Sequence, residues 1–149
     1  DYLLSNGVMI GTSATSKKQL VEQISDRAES LTGLFARSVF DAIMQRERLG
    51  STAIGDGIAI PHAVFTELKN SVVILTILNN AIAFESHDKK PVDIVFTILG
   101  HEQTDCDNLK LLSKASKLFS NSEFCQTLRK ATSSLQVINS FGPYQASSS

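Results

Sequence analysis

A chain of 149 residues that is 42% hydrophobic, 19% charged and 7% aromatic has the make-up of one ordinary globular domain. It is long enough to bury about two-thirds of its unfolded surface without help from a disulfide or metal. With 14 Lys and Arg against 15 Asp and Glu, the net charge is −1 and neither sign forms a long block, which argues against a nucleic-acid or membrane-binding surface.

Two cysteines, Cys106 and Cys125, stand apart without CxxC spacing or a neighbouring Cys/His cluster. Reduced thiols in a cytoplasmic protein are the expectation, with no cofactor and no metal. No apolar run reaches the ~20 residues of a spanning helix, and Asp1 to Thr15 lacks the pattern of a secretory leader.

In chain order, Ser16 followed by Gln19 fits a capping box. Behind it Leu20, Ile24, Ala28 and Leu31 recur at helical spacing, and Gly33 suits the helix end. A second helix is predicted over about residues 37–48, with Val39, Phe40, Ile43 and Met44 inward and Gly50 closing it. The short charge groups Lys17-Lys18 and Arg46-Glu47-Arg48 read as solvated helix faces.

The stretch from Gly50 to Ala63 is broken by three glycines and a proline, with Ile58 and Ile60 alternating like a short strand. Ile54, Ile58 and Ile60 read more readily as core than as a docking rim. β-Branched apolar runs over residues 71–78 and 91–99 predict strands covered on both faces, with a short strand at 82–84 between them. A third helix is expected from about Asp107, with Leu109, Leu112, Ala115, Leu118 and Phe119 inward. Two shorter ones follow near 123–130 and 134–141, capped by Ser122 and Ser133. Residues 142–149 read as a flexible tail. The order predicts a single-domain α/β sandwich, a mixed sheet flanked by helices, over residues 1–141.

Among the three histidines, His87 lies in a polar loop and His101 at the end of an apolar strand; both read as incidental. His62 differs in its setting. Pro61 stiffens the backbone before it, and Gly55, Gly57, Ala59 and Ala63 leave room for a bulky partner or an anion. Such an imidazole could be a metal ligand, a general base or a nucleophile. The chain holds no GxSxG elbow or GxxxxGK[ST] loop, and Gly55-Asp56-Gly57 runs into Ile60-Pro61 instead of opening a helix, so dinucleotide binding is not indicated.

The run Arg46-Glu47-Arg48-Leu49-Gly50-Ser51-Thr52-Ala53-Ile54-Gly55-Asp56-Gly57-Ile58-Ala59-Ile60-Pro61-His62 resembles the signature of type-2 enzyme IIA domains of the bacterial phosphoenolpyruvate-dependent phosphotransferase system. The segments Ala83 to Phe96 and Asn108 to Leu112 resemble the same family, and the likeness extends over about residues 15–141. It implies that His62 is the phospho-acceptor and that Arg46 holds the phosphoryl group. By their chemistry, Asn108, Ser51 and Thr52 are expected to add neutral hydrogen bonds to the phosphoryl group, and Asn108 stands where many relatives carry a second histidine.

The resemblance is strongest to the nitrogen-related regulatory type. It implies an HPr-like carrier as donor, and either a IIB domain or regulated transporters and kinases as downstream partners. The alternatives it leaves open are a fructose- or mannitol-type IIA component and a binding module silenced for phosphorylation. A further expectation is that a backbone carbonyl fixes the His62 tautomer.

Overall fold

The computed structural model describes residues 7–101 and 105–142, with side chains from residue 108 onward in the second stretch. The elements, in chain order, are β1 (Val8–Thr12), α1 (Lys17–Thr32), α2 (Ala36–Arg48), β2 (Ala53–Gly55), β3 (Ile58–Ala59), β4 (His62–Phe65), β5 (Val72–Ile82), β6 (Val92–His101), α3 (Asp105–Phe119), α4 (Ser122–Lys130) and α5 (Ser134–Ser140).

Helix α1 starts as its sequence predicts. Ser16 accepts the Gln19 N–H at 3.1 Å, while the Gln19 side chain reaches back to the Thr15 N–H at 2.6 Å, one residue before the usual target. Gly33 ends the helix at φ +82°, a conformation that glycine adopts without a Cβ clash. The same Thr-Ser-x-x-Gln device opens α5, where Ser133 caps Gln136 and Gln136 returns to the Thr132 N–H. Helix α4 is capped by Asn121 and not by Ser122, which is its first helical residue.

β5 and β6 pair antiparallel through the middle of the sheet. β1 lies parallel along the outer edge of β5. On the other side of β6, β3 and β4 pair with it in parallel, one after the other, and β2 folds back on β3. Asp56 and Gly57, both at positive φ (57° and 86°), make the β2–β3 turn, as a two-residue hairpin with right-handed twist requires.

The alternation of the central strands sends their side chains into two cores. Ile74, Leu78, Val95 and Leu99 meet Leu20, Ile24, Ala28, Val39 and Ile43 of α1 and α2. Val73, Leu75, Ile94, Phe96 and Ile98 meet Ala115, Phe119, Phe124, Leu128 and Val137 of α3, α4 and α5. Both faces of the sheet are covered, which is why β5 and β6 read as nearly unbroken apolar runs.

Several expectations are corrected. The strand predicted at 82–84 is not separate, because Ile82 ends β5 opposite Val92 while Phe84 lies buried in the following loop. Strands β1 and β4 carry no strand prediction; both are short and owe their pairing to distant neighbours. Leu109, expected inward, is 65% exposed. Ile58 and Ile60 are core, whereas Ile54 is exposed. Residues 143–149 of the expected tail and the side chain of Cys106 lie outside the described residues. Cys125 is buried, and its burial pushes the thiol pKa up.

Candidate functional site

The site is assembled where β4 runs along the outer end of β6. The register places His62 beside Ile98 and Val64 beside Gly100. Strand alternation sends Phe65 into the core beneath α1 and α2, and His62 and Val64 to the other side, toward α3. There, His62, Val64, Ile98, Asn108, Leu109 and Leu112 line a groove of about 280 Å³.

Both nitrogens of the His62 ring are engaged. Nδ1 lies 3.0 Å from the Ile60 carbonyl oxygen. A carbonyl can only accept, so Nδ1 carries the ring proton and Nε2 presents a lone pair. Arg46 donates its Nε–H to that lone pair at 3.3 Å and its Nη1–H to the Gly50 carbonyl at 2.9 Å. Arg46 comes from the last turn of α2, in the helical layer opposite α3, so the ring is reached from both layers at once. His62 and Arg46 are each half-buried, so part of each residue reaches the surface.

The supporting residues are placed differently. Asn108 lies in the His62 groove, but its amide is engaged: Nδ2 donates to the His101 carbonyl at 3.0 Å and Oδ1 accepts the Ser71 hydroxyl at 3.1 Å. Gly100 makes room for it, since a Cβ there would collide with the Asn108 amide. Ser51 gives its hydroxyl proton to the Phe84 carbonyl at 2.6 Å. Thr52 is buried and gives both its N–H, at 3.2 Å, and its hydroxyl to the Glu47 carboxylate. Both hydroxyls therefore serve the loop that carries the site.

Glu47 was hidden in the sequence, since a charge trio reads as a solvated face. It is 6% exposed and paired with Lys17 Nζ at 2.9 Å. Lys17, also read as solvated, sits 4.5 Å above the Phe84 ring. A second clamp holds the hairpin. Arg129 grips Asp93 through two hydrogen bonds of 2.9 Å and gives a third, at 3.0 Å, to the Asp56 carbonyl. From the opposite side Asp88 accepts the Asp56 N–H at 2.9 Å. Hydrogen bonds from the Ser86 hydroxyl, then the Asp56 and Lys90 N–H groups, lower the Asp88 pKa from 3.8 to about 2.

His87 is exposed in its loop, and His101 ends β6. Among the described residues, no group of three or more His, Cys, Asp or Glu could hold a metal ion, and no helix is long and apolar enough to cross a membrane.

Known proteins resemble the chain in sequence and in fold. The chain is 36% identical over 129 residues to a nitrogen regulatory protein of Bradyrhizobium diazoefficiens, covering 87% of this chain and 84% of that one. The structure is similar to the nitrogen regulatory protein IIA-Ntr of Neisseria meningitidis, with a TM-score of 0.89 at 29% identity, covering 93% and 95% of the two chains. It is also 27% identical over 140 residues to the fructose-specific EIIABC component of Bacillus subtilis, covering 93% of this chain and 22% of that larger protein. Residues 2–142 match the family described as "Phosphoenolpyruvate-dependent sugar phosphotransferase system, EIIA 2", and the chain belongs to that family.

Proposed function

We propose that His62 accepts a phosphoryl group from the phosphohistidine of an HPr-like carrier, and that the protein works in the cytoplasm as a phosphorylation-dependent regulator of the nitrogen type. The observation that carries this reading is the state of the ring. With Nδ1–H tied to Ile60, the lone pair needed for attack on phosphorus is confined to Nε2, beside a permanent cation.

In the proposed step, Nε2 attacks the donor's phosphorus as the bond to the donor ring breaks, its electron pair returning to the donor nitrogen. One P–N bond replaces another, so the exchange is close to balanced and needs positioning and charge stabilisation more than a strong base. Arg46, already 3.3 Å from the attacking atom, is placed to donate to the phosphoryl oxygens as the group arrives. Because the Nδ1 proton stays against Ile60, the phosphorylated ring carries its own positive charge. That makes it a good leaving group for the next transfer.

The groove beside the ring is neutral and apolar, with Val64 45% and Leu109 65% exposed. The groove lining itself holds no charged side chain, phosphorylation places about two negative charges on the phosphoryl oxygens beside it, and affinity for a partner that favours the apolar face then falls. The relatives named as nitrogen regulatory proteins support the regulatory role. The likeness to a fructose-specific component supports a second reading, onward transfer to a IIB domain.

Incubation with enzyme I, an HPr-like carrier and phosphoenolpyruvate tests the acceptor role. One acid-labile phosphoryl group is expected by mass spectrometry, absent from His62→Ala. Adding IIB domains to the labelled protein separates the two roles: retention of label supports the regulator, and rapid loss to a IIB domain supports the sugar-type component.

A further inference from the structure

We propose that Glu47, which touches neither the ring nor the phosphoryl group, is the positioning residue of the transfer site and sets the hydrogen bonds on both nitrogens of His62. This rests on the acceptor reading of His62. Two routes connect Glu47 to the ring, one from its carboxylate through Thr52 and one from its main-chain carbonyl through Gly50. In the first, Oε1 accepts the Thr52 N–H at 3.2 Å and Oε2 accepts the Thr52 hydroxyl. The carbonyl of Thr52 accepts the Ile60 N–H at 3.0 Å, and the carbonyl of Ile60 holds His62 Nδ1 at 3.0 Å.

In the second, the bond from Glu47 to Thr52 closes the chain over Gly50. The Gly50 N–H returns to the Glu47 carbonyl at 3.1 Å, and the Gly50 carbonyl anchors Arg46 Nη1 at 2.9 Å. Arg46 in turn meets His62 Nε2. One branch thus ends on each ring nitrogen.

The chemistry requires a carboxylate. Three donors, namely Lys17 Nζ at 2.9 Å, the Thr52 N–H and the Thr52 hydroxyl, converge on two oxygens of a side chain that is 2% exposed. An amide at this position has a single acceptor oxygen and turns its NH₂ group toward donors. Lys17, whose side chain is 13% exposed, supplies the charge that makes burial of the carboxylate tolerable.

The test uses Glu47→Gln, the double variant Lys17→Met with Glu47→Leu, which removes the buried pair together, and Thr52→Val, which deletes only the hydroxyl bond. Nitrogen-15 NMR of the unphosphorylated His62 ring reads the tautomer, and the initial rate of phosphorylation from an HPr-like carrier reads transfer. Glu47→Gln and the double variant are expected to show a mixture of ring tautomers. Their maximal rate is expected to fall on the order of a hundredfold, with KM for the carrier unchanged. Thr52→Val moves the same way by less, and it decides the matter if the other two fail to fold. A folded variant with the wild-type tautomer overturns the proposal whatever its rate. Failure of the wild-type protein to take up phosphate would instead remove the acceptor reading, and the tautomer measurement would still judge Glu47.

Discussion

Arg46 and His62 are joined by a hydrogen bond of 3.3 Å between Nε and Nε2, although one residue lies in the last turn of a helix and the other begins a strand. The guanidinium forks between the ring and the Gly50 carbonyl, a geometry that a single ammonium cannot copy. Arg46→Lys keeps the charge and loses the fork. Its phosphorylation rate should drop on the order of a hundredfold with little change in thermal stability, as measured by initial rates alongside a melting curve.

The exposed apolar side chains beside the ring predict a different kind of defect. Leu109→Glu places a negative charge on the groove that a docking carrier must cover, without disturbing the core, since Leu109 is largely exposed. KM for the carrier should rise about tenfold while the maximal rate and the melting temperature stay near wild type. Steady-state kinetics against carrier concentration separates this outcome from the Arg46 one.

Asp88 gives a pH prediction whose sign is fixed by its hydrogen bonds. Its folded pKa, about 2, lies below the ordinary 3.8. Its stabilising contribution is therefore complete above pH 3.8 and is lost as pH falls through 2. A carbon-13 titration of the carboxyl group should show a midpoint near 2 that rises in Ser86→Ala, because the Ser86 hydroxyl is the largest cause of the shift. Asp88→Asn should lack this component of acid sensitivity.

The hairpin that precedes His62 depends on Gly57. A Cβ there would lie 2.8 Å from Arg129 Nη2 and 2.9 Å from Asp93 Oδ1, at a φ of +86°. Gly57→Ala should cost about 1–3 kcal/mol in denaturant unfolding and weaken the Arg129 clamp. A variant as stable as wild type would show that the clamp adjusts freely.

Much of this architecture was legible in local chemistry. Ser16, Gln19 and Gly33 announced α1 because capping is decided within a few residues, and the β-branched runs announced β5 and β6 because both of their faces are buried. β1 escaped because Val8–Thr12 is a strand by virtue of β5, more than 60 residues on. β4 escaped because four residues behind a proline form a strand only against β6. At the site, His62 and Arg46 were legible through the resemblance of a long contiguous segment. Glu47 and Lys17 were not, since burial of a charge pair is decided by tertiary contacts. The tautomer was also out of reach, because it depends on where the Ile60 carbonyl points. Asn108, Ser51 and Thr52 were named for what their side chains can donate, and the fold engages those groups in holding backbone and carboxylate partners.

The most direct measurement is to identify the nitrogen that carries the phosphoryl group, by phosphorus-31 and nitrogen-15 NMR of the protein after phosphorylation through the carrier. With the Nδ1 proton held by Ile60 and the lone pair facing Arg46, the group should be found on Nε2 of His62. Phosphate on Nδ1 of His62, or on His87 or His101, would contradict the geometry on which the proposed transfer rests.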